Sequence, residues 1–351
     1  PTTEVVWAPD VVRQADGTIY ADNTDVLGFA WMLERFCLRA YDLTAKDVLL
    51  GNKAVVLGTG GASRAVSAAL TDVGAHVVAI SRTGDETYAT LVQRHADARL
   101  LVNCTPVGMF PDCPKTPVPE EDLARLAELR GVLDVVYNPE RTALTLAADR
   151  LGIPNESGLA MLVAQAFHAS QLFQAKALDN ALVGQLEQDI RRVTRNVVII
   201  GMPGSGKTSA GRLLARLTGR PFVDLDDYFS IDHAETPSEC ILAHGEETFR
   251  ALETQTAATY CARSGLVIAC GGGIVTKPRN YDIVHQNATV IMLDRPLDQL
   301  SSEDRPISQA KGIERVARER MDLYHAWADV VLPCTGSAAG DAAKIRDIMG
   351  I

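Results

Sequence analysis

Between residues 197 and 217 an apolar strand, a glycine-rich turn and a helix follow one another without a gap. The strand is Val197-Val198-Ile199-Ile200 and the turn is Gly201-Met202-Pro203-Gly204-Ser205-Gly206-Lys207-Thr208, with Ser209 to Leu217 behind it. Few folds accept this order of G-x-x-x-x-G-K-[ST]. The glycines must let the backbone curl into a nest of N–H donors, while the following helix points its positive end at the same place. Such a nest binds phosphate. In this pattern Lys207 reaches the β- and γ-phosphates of a nucleotide, Thr208 ligates Mg2+, and the stretch from Gly201 to Ser209 forms the nucleotide-binding candidate. The strand-to-helix context implies a parallel sheet covered by helices.

The rest of the chain repeats that architecture in a second place. At 351 residues it is longer than one hydrophobic core usually serves, and apolar runs of strand length alternate with helical periodicity twice over. The first set of expected strands is Lys53 to Leu57, His76 to Ile80, Leu100 to Cys104 and Val132 to Val136. The second is Val197 to Ile200, Phe222 to Asp224, Leu266 to Ala269, Thr289 to Leu293 and Val330 to Leu332. Leu159 to Arg192 reads as one or two long helices between them, so two three-layer α/β domains are expected, 1–192 and 193–351.

A net charge of −10 argues against nucleic-acid or anionic-membrane partners. The seven cysteines are scattered without a C-x-x-C pair, which suits a reducing cytoplasm. No apolar run approaches the ~18 residues of a membrane span. A chain that opens on Pro1 instead of Met suggests a segment upstream.

A phosphate nest alone does not choose between kinase, ATPase and GTPase. Several further motifs narrow the choice. Asp224-Leu225-Asp226-Asp227 sits at the carboxyl end of the second strand, where α/β sheets hold ligands. Gly245-Glu-Glu-Thr-Phe249-Arg250-Ala-Leu-Glu253, Gly271-Gly272-Gly273, Asp304-Arg305-Pro306 and Arg320-Met-Asp-Leu-Tyr324 follow in order. Arginine forks suit a carboxylate, and an aspartate suits a hydroxyl that must lose its proton. Taken singly, each charge is what an ordinary surface carries. In this order they make residues 195–333 resemble shikimate kinase.

That resemblance implies MgATP-dependent phosphorylation of the shikimate 3-hydroxyl, in aromatic amino-acid (chorismate) biosynthesis. It implies that Asp226 is the catalytic base and that Arg250, Arg320 and Gly271 to Gly273 contact shikimate. It implies further that Asp224 lies with Thr208 near Mg2+, and that Arg305 belongs to a lid that neutralises the transferred phosphoryl group beside Lys207. The stretch Arg295 to Asp304 departs from the family in being short and acidic.

The first half carries its own glycine turn, Gly58-Thr59-Gly60-Gly61-Ala62-Ser63, after Lys53 to Leu57, with Ser63 where the third glycine of G-x-G-x-x-G belongs. The second strand ends in Ser81-Arg82-Thr83, and Arg82 suits the 2′-phosphate of NADP in place of the acid that holds a ribose hydroxyl, although an exposed turn also carries such an arginine. Flanking segments are Asn23-Thr24-Asp25, Asn103-Cys-Thr-Pro106-Val-Gly108-Met109, Asp134-Val-Val-Tyr137-Asn138-Pro139 and Gly158-Leu-Ala-Met161-Leu-Val-Ala-Gln165.

These segments resemble shikimate dehydrogenase. The resemblance implies NADP contacts from the glycine turn, Ser81 to Thr83, Met109 and Gly158. It implies 3-dehydroshikimate contacts from Asn23, Asp25, Tyr137 and Gln165, with Asp25 catalytic. The family's lysine partner for Asp25 and its preceding substrate domain have no counterpart here, since the first lysine is Lys46. Dehydrogenase activity is therefore expected to be weak, and the apolar stretch Leu159 to Phe167 is expected to be exposed. Alternatives to the leading reading are a kinase of another small polyol such as gluconate, and a non-catalytic sensor resembling fungal repressors built from shikimate-pathway domains.

Overall fold

The computed structural model describes residues 10–13, 17–300 and 312–351. They fall into two compact units, Pro1–Asp189 and Ile190–Ile351. No helix among the described residues is long and apolar enough to cross a membrane.

The first unit runs β1 (Asp10–Arg13), β2 (Ile19–Asp22), α1 (Thr24–Tyr41), α2 (Ala45–Leu49), β3 (Lys53–Leu57), α3 (Gly61–Asp72), β4 (His76–Ile80), α4 (Leu91–His95) and β5 (Leu100–Asn103). It continues through α5 (Glu120–Leu123), β6 (Gly131–Asp134), α6 (Ala143–Arg150), β7 (Asn155–Ser157), α7 (Leu159–Gln174) and α8 (Ala181–Thr194), whose residues from Ile190 onward are counted with the second unit. Five strands make a parallel sheet in the order β4-β3-β5-β6-β7. Ala54 to Leu57 and Leu101 to Val102 are fully buried, as a sheet covered on both faces requires.

Two elements had no strand signal in the sequence. The β1–β2 hairpin has strands of only four residues, Asp-Val-Val-Arg and Ile-Tyr-Ala-Asp, and β7 is the three residues Asn-Glu-Ser. β7 is held by pairing to β6 and by its buried Glu156, which ion-pairs with Arg35, not by apolar content.

The expected exposed patch is overturned. Leu159, Met161, Val163 and Phe167 of α7 are buried, because α1 packs along it. Asn23 caps α1 by accepting from the Asp25 amide at 2.9 Å, and Phe29, Met32, Leu33 and Phe36 fill the joint. Gly28 sets the approach: an added Cβ there would lie 2.7 Å from the Met161 carbonyl oxygen.

The second unit runs β8 (Asn196–Ile200), α9 (Lys207–Thr218), β9 (Phe222–Asp224), α10 (Leu225–His233), α11 (Pro237–Cys261) and β10 (Val267–Ala269). Then come α12 (Asn280–His285), β11 (Ala288–Asp294), α13 (Ile313–Trp327), β12 (Val330–Pro333) and α14 (Ala338–Met349). Its parallel sheet has the order β12-β11-β8-β10-β9, with β8 central and fully buried. Truncating such a central side chain, as in Ile199→Ala, costs about 2–5 kcal/mol. α11 opens with a capping box between Thr236 and Glu239 and a proline at its first turn, then breaks at Gly245, whose φ of 85° no ordinary helical residue adopts.

Candidate functional site

The C-terminal ends of β8, β9 and β10 in the second unit open onto one cavity of about 160 Å3. This is smaller than the roughly 300–1,000 Å3 of a drug-sized site, so it suits a small polar ligand. On one side lies the turn from Gly201 to Thr208. Gly201, Gly204 and Gly206 have φ of 140°, 87° and 96°, which gives the nest its curl. Lys207 is buried, and its Nζ donates to the carbonyls of Gly201 and Met202 at 3.0 Å each. Thr208 Oγ1 donates to Asp224 Oδ2 at 2.7 Å, so the two oxygens that the sequence assigned to Mg2+ are side by side. Hard oxygen donors of this kind suit that ion. Pro203 lines the cavity, whereas Ser209 turns out to solvent.

Asp224 also caps α10 by accepting from the Asp226 amide at 3.1 Å, and this aims the Asp226 carboxylate into the cavity. Enclosure by protein, then the carboxylates of Asp224 and Glu253, hold its pKa up to about 6, with Lys207 and Arg250 pulling the other way. The carboxylate keeps accessible surface on the cavity side.

Arg250 is buried and bonds Glu253 at 2.8 Å and Glu246 at 3.3 Å. Burial opposes its charge, but the two glutamates outweigh that and keep it cationic. Arg320, also buried, donates to the Gly272 carbonyl at 2.9 Å, and Tyr324 one turn further along α13 donates to the same oxygen. The Nε atoms of Arg250 and Arg320 are both buried without a hydrogen-bond partner among the described residues. Two buried guanidinium groups lining one cavity favour an anionic ligand.

The triple glycine does more than let backbone approach a ligand. An added Cβ on Gly271 would lie 2.7 Å from Asp226 Oδ1, on Gly272 2.7 Å from Pro203 Cγ, and on Gly273 2.0 Å from Arg250 Nη1. Each glycine makes room for a different side chain of the site. Asp227 points away and pairs with Arg212 at 3.0 Å. Arg305 lies outside the described residues. Glu253 and Tyr324 are site residues that the sequence reading left without a role. Their spacings from Arg250 and Arg320, i+3 and i+4, place each pair on one helix face and were the available signal.

In the first unit a second cavity, about 610 Å3, is lined by Gly58, Thr59, Gly60, Ser81, Arg82, Tyr88 and the loop Cys104 to Val107, with Thr116 and Pro117. Ser63 occupies the third-glycine position without loss, because its hydroxyl donates to the Gly58 carbonyl at 2.7 Å and ties the turn to α3. Gly61 and Ala62 begin α3, Thr83 is exposed and Met109 is 42% exposed; none of the four lines the cavity. Gly158 is tied to packing, since an added Cβ would lie 2.1 Å from the Val135 carbonyl oxygen.

Asn23 and Asp25 begin α1, and Gln165 faces Gly28 one turn along it. Tyr137 is half exposed after β6. Burial, then Asp10, hold the Asp25 carboxyl above the usual range. A buried network that the sequence did not signal joins β5 to β6: Asp134 accepts from Asn103 at 2.9 Å, the Val136 amide at 3.0 Å and Thr142 at 2.8 Å.

A phosphate nest on a five-stranded parallel sheet of this order, facing a cavity with an aspartate and two arginines, defines a P-loop phosphotransferase for a small anionic acceptor. Residues 203–349 match the family model for shikimate kinase. The shikimate kinase of Clostridium beijerinckii is 34% identical over 160 residues, which is 44% of this chain and 94% of the relative. The chain belongs to the shikimate kinase family.

Among solved structures, the shikimate kinase from Acinetobacter baumannii in complex with shikimate is 30% identical with a TM-score of 0.43, covering 46% of this chain and 97% of that one. A chorismate mutase/shikimate 5-dehydrogenase fusion protein from Clostridium acetobutylicum is 30% identical with a TM-score of 0.45. In that case 51% of this chain is covered, and the match spans 64% of the fusion protein's length.

Proposed function

We propose that the second unit transfers the γ-phosphoryl group of MgATP to the 3-hydroxyl of shikimate, using Asp226, Arg250, Arg320 and the Gly201–Thr208 nest. The observation that carries this reading is the convergence of Lys207, Thr208, Asp226, Arg250 and Arg320 on one cavity of about 160 Å3. Arg250 and Arg320 hold the shikimate carboxylate, and so fix the ring against Asp226. Asp226 accepts a hydrogen bond from the attacking hydroxyl and takes its proton as the phosphoryl group arrives. A carboxylate poised near pH 6 is a competent acceptor at neutral pH and is not so basic that it stays protonated. Lys207 and the backbone N–H groups hold the phosphates. Thr208 and Asp224 would hold Mg2+, which supplies charge neutralisation at the β- and γ-oxygens.

Because there is little covalent chemistry for the protein to perform, positioning and electrostatics supply the rate. The test is product identity. Phosphorus NMR of the reaction with ATP and shikimate should give a single new phosphomonoester coupled to the ring proton at C3, and a phosphate at another position would refute the acceptor geometry.

The first unit we read as an NADP(H)-binding domain that resembles a shikimate dehydrogenase. The cavity at Gly58, Gly60, Ser81 and Arg82 supports this, since a guanidinium at the end of β4 suits a 2′-phosphate. Asn23, Asp25, Tyr137 and Gln165 are its candidate contacts for 3-dehydroshikimate. A fluorescence titration should show NADPH binding more tightly than NADH, and Arg82→Ala should erase that difference. Equal affinities in the unaltered chain would refute the assignment.

A further inference from the structure

We infer that Arg295 and Asp341 form a positioning pair that sets the phosphate nest from behind, and that Arg295 is a determinant of nucleotide affinity. This rests on reading Gly201–Thr208 as the ATP site. Arg295 follows the last residue of β11, and its Nε donates to the Ser205 carbonyl at 3.1 Å. A second donor, Cys334 Sγ, lies 3.8 Å from the same oxygen. The peptide that joins Ser205 to Gly206 is planar and trans, so its C=O and N–H point in opposite directions. Holding the carbonyl outward therefore holds the Gly206 N–H inward, where an anion nest needs its donors. The guanidinium also lies close behind Gly206, with Nη2 3.4 Å from where a Cβ would be. Gly206 has φ of 96° and precedes Lys207, so a turn of this peptide would displace both the donor and the start of α9.

The other end of the guanidinium is anchored. Asp341, in the first turn of α14, is completely buried, and its Oδ2 lies 3.7 Å from Arg295 Nη2. That separation is an ion pair without a hydrogen bond, and Oδ2 has no hydrogen-bond partner among the described residues. Asp341 Oδ1 is occupied by the Thr335 amide at 2.6 Å and the Thr335 hydroxyl at 2.8 Å. Asp341 thus holds Arg295 against the nest and holds the loop after β12 in the same grip. Arg295 acts through the backbone of Ser205 and Gly206, so it is a positioning residue.

The experiment measures MgADP binding by calorimetry on the full chain. Removing Arg295 alone would strand the buried Asp341 charge, so the informative variant is the double replacement Arg295→Met with Asp341→Asn, which removes both charges. Loss of one charge-assisted grip on the nest should weaken MgADP by about 10- to 100-fold, with the melting temperature little changed. Arg295→Lys retains a partner for Asp341 but not the directional donor at Nε, and should lose about tenfold. Asp341→Asn alone keeps the Ser205 contact but loosens the hold on Arg295, and should lose about threefold to tenfold; an unchanged affinity in this variant would remove Asp341 from the pair.

MgADP affinity within about threefold of the unaltered chain in the double variant and in Arg295→Lys would overturn the inference. An affinity loss that merely tracks a loss of thermal stability would also overturn it, because the role would then be structural. If the unaltered chain itself did not bind MgADP, the reading of the nest would fail instead, and the two failures are distinguishable.

Discussion

Gly273→Ala should disable the acceptor site while leaving the nucleotide site intact. The new Cβ would lie 2.0 Å from Arg250 Nη1 and 2.2 Å from its Cζ and Nη2, where carbon contacts normally begin near 3.5 Å. Arg250 must therefore retreat by more than about 1 Å. It cannot do so freely, since it is only 4% exposed and is pinned to Glu253 at 2.8 Å. A misplacement of about 1 Å in a substrate-orienting group costs on the order of 100-fold in rate, or about 2.7 kcal/mol of transition-state binding. The expectation is a fall of about 100-fold in kcat/KM for shikimate, with KM for ATP changed by less than about threefold. The assay is ADP release followed by chromatography at saturating ATP and varied shikimate. Gly184→Ala serves as control, because an added Cβ there meets nothing within 4 Å. A kcat/KM within about threefold of the unaltered chain, in a variant that melts normally, would refute the claim that Arg250 anchors the acceptor.

Asp226→Asn should lower shikimate-dependent turnover by about 10²- to 10⁴-fold while MgADP affinity stays nearly unchanged, whereas Lys207→Met should damage both; wild-type turnover in Asp226→Asn would contradict the assignment. A fragment of residues 190–351 should fold and retain kinase activity, and one beginning at 196 should melt lower, because Arg220 donates to the carbonyls of Arg192 and Arg195 and the Gly265 amide donates to Thr194; equal melting of the two would refute this. Burial, opposed by its three donors, raises Asp134 from an ordinary 3.8 to about 7. The stability it contributes is therefore fully present below about pH 3.8 and lost as the pH rises through 7, and the stability difference between the unaltered chain and Asp134→Asn should shrink over that window; a difference independent of pH would refute it.

Much of this site was legible in the chain because its parts are strand-to-helix corners, where the local pattern dictates the geometry. The stretch from Val197 to Leu217 names a buried strand, a phosphate nest and a helix together, and the structure places them so. The pairing of Thr208 with Asp224 was legible in part, since each follows or ends a parallel strand at the same edge of the sheet, although β10 runs between β8 and β9. What stayed hidden depends on contacts between distant segments. The roles of Gly271 to Gly273 follow from where Asp226, Pro203 and Arg250 come to rest, which no local pattern encodes. Arg295 and Asp341 are 46 positions apart and look like surface charges until the sheet brings β11 beside the nest. The exposed patch expected at Leu159 to Phe167 failed for a related reason. The cover is α1, whose apolar periodicity through Phe29, Met32, Leu33 and Phe36 begins directly after the polar Asn23-Thr24-Asp25 segment.

The acceptor that makes this chain consume ATP distinguishes a shikimate kinase from every other reading of the cavity. Initial rates of ADP formation should be measured for the full chain with Mg2+ and, in separate reactions, shikimate, quinate, gluconate and a nucleoside monophosphate. Shikimate should drive turnover well above the acceptor-free rate, with gluconate and the nucleoside monophosphate near background because neither offers a ring carboxylate for Arg250 and Arg320 together with a hydroxyl for Asp226, and with quinate slower than shikimate because its tetrahedral C1 carries an extra hydroxyl and tilts the carboxylate. Turnover with gluconate or a nucleoside monophosphate that matched or exceeded the rate with shikimate would contradict the central claim.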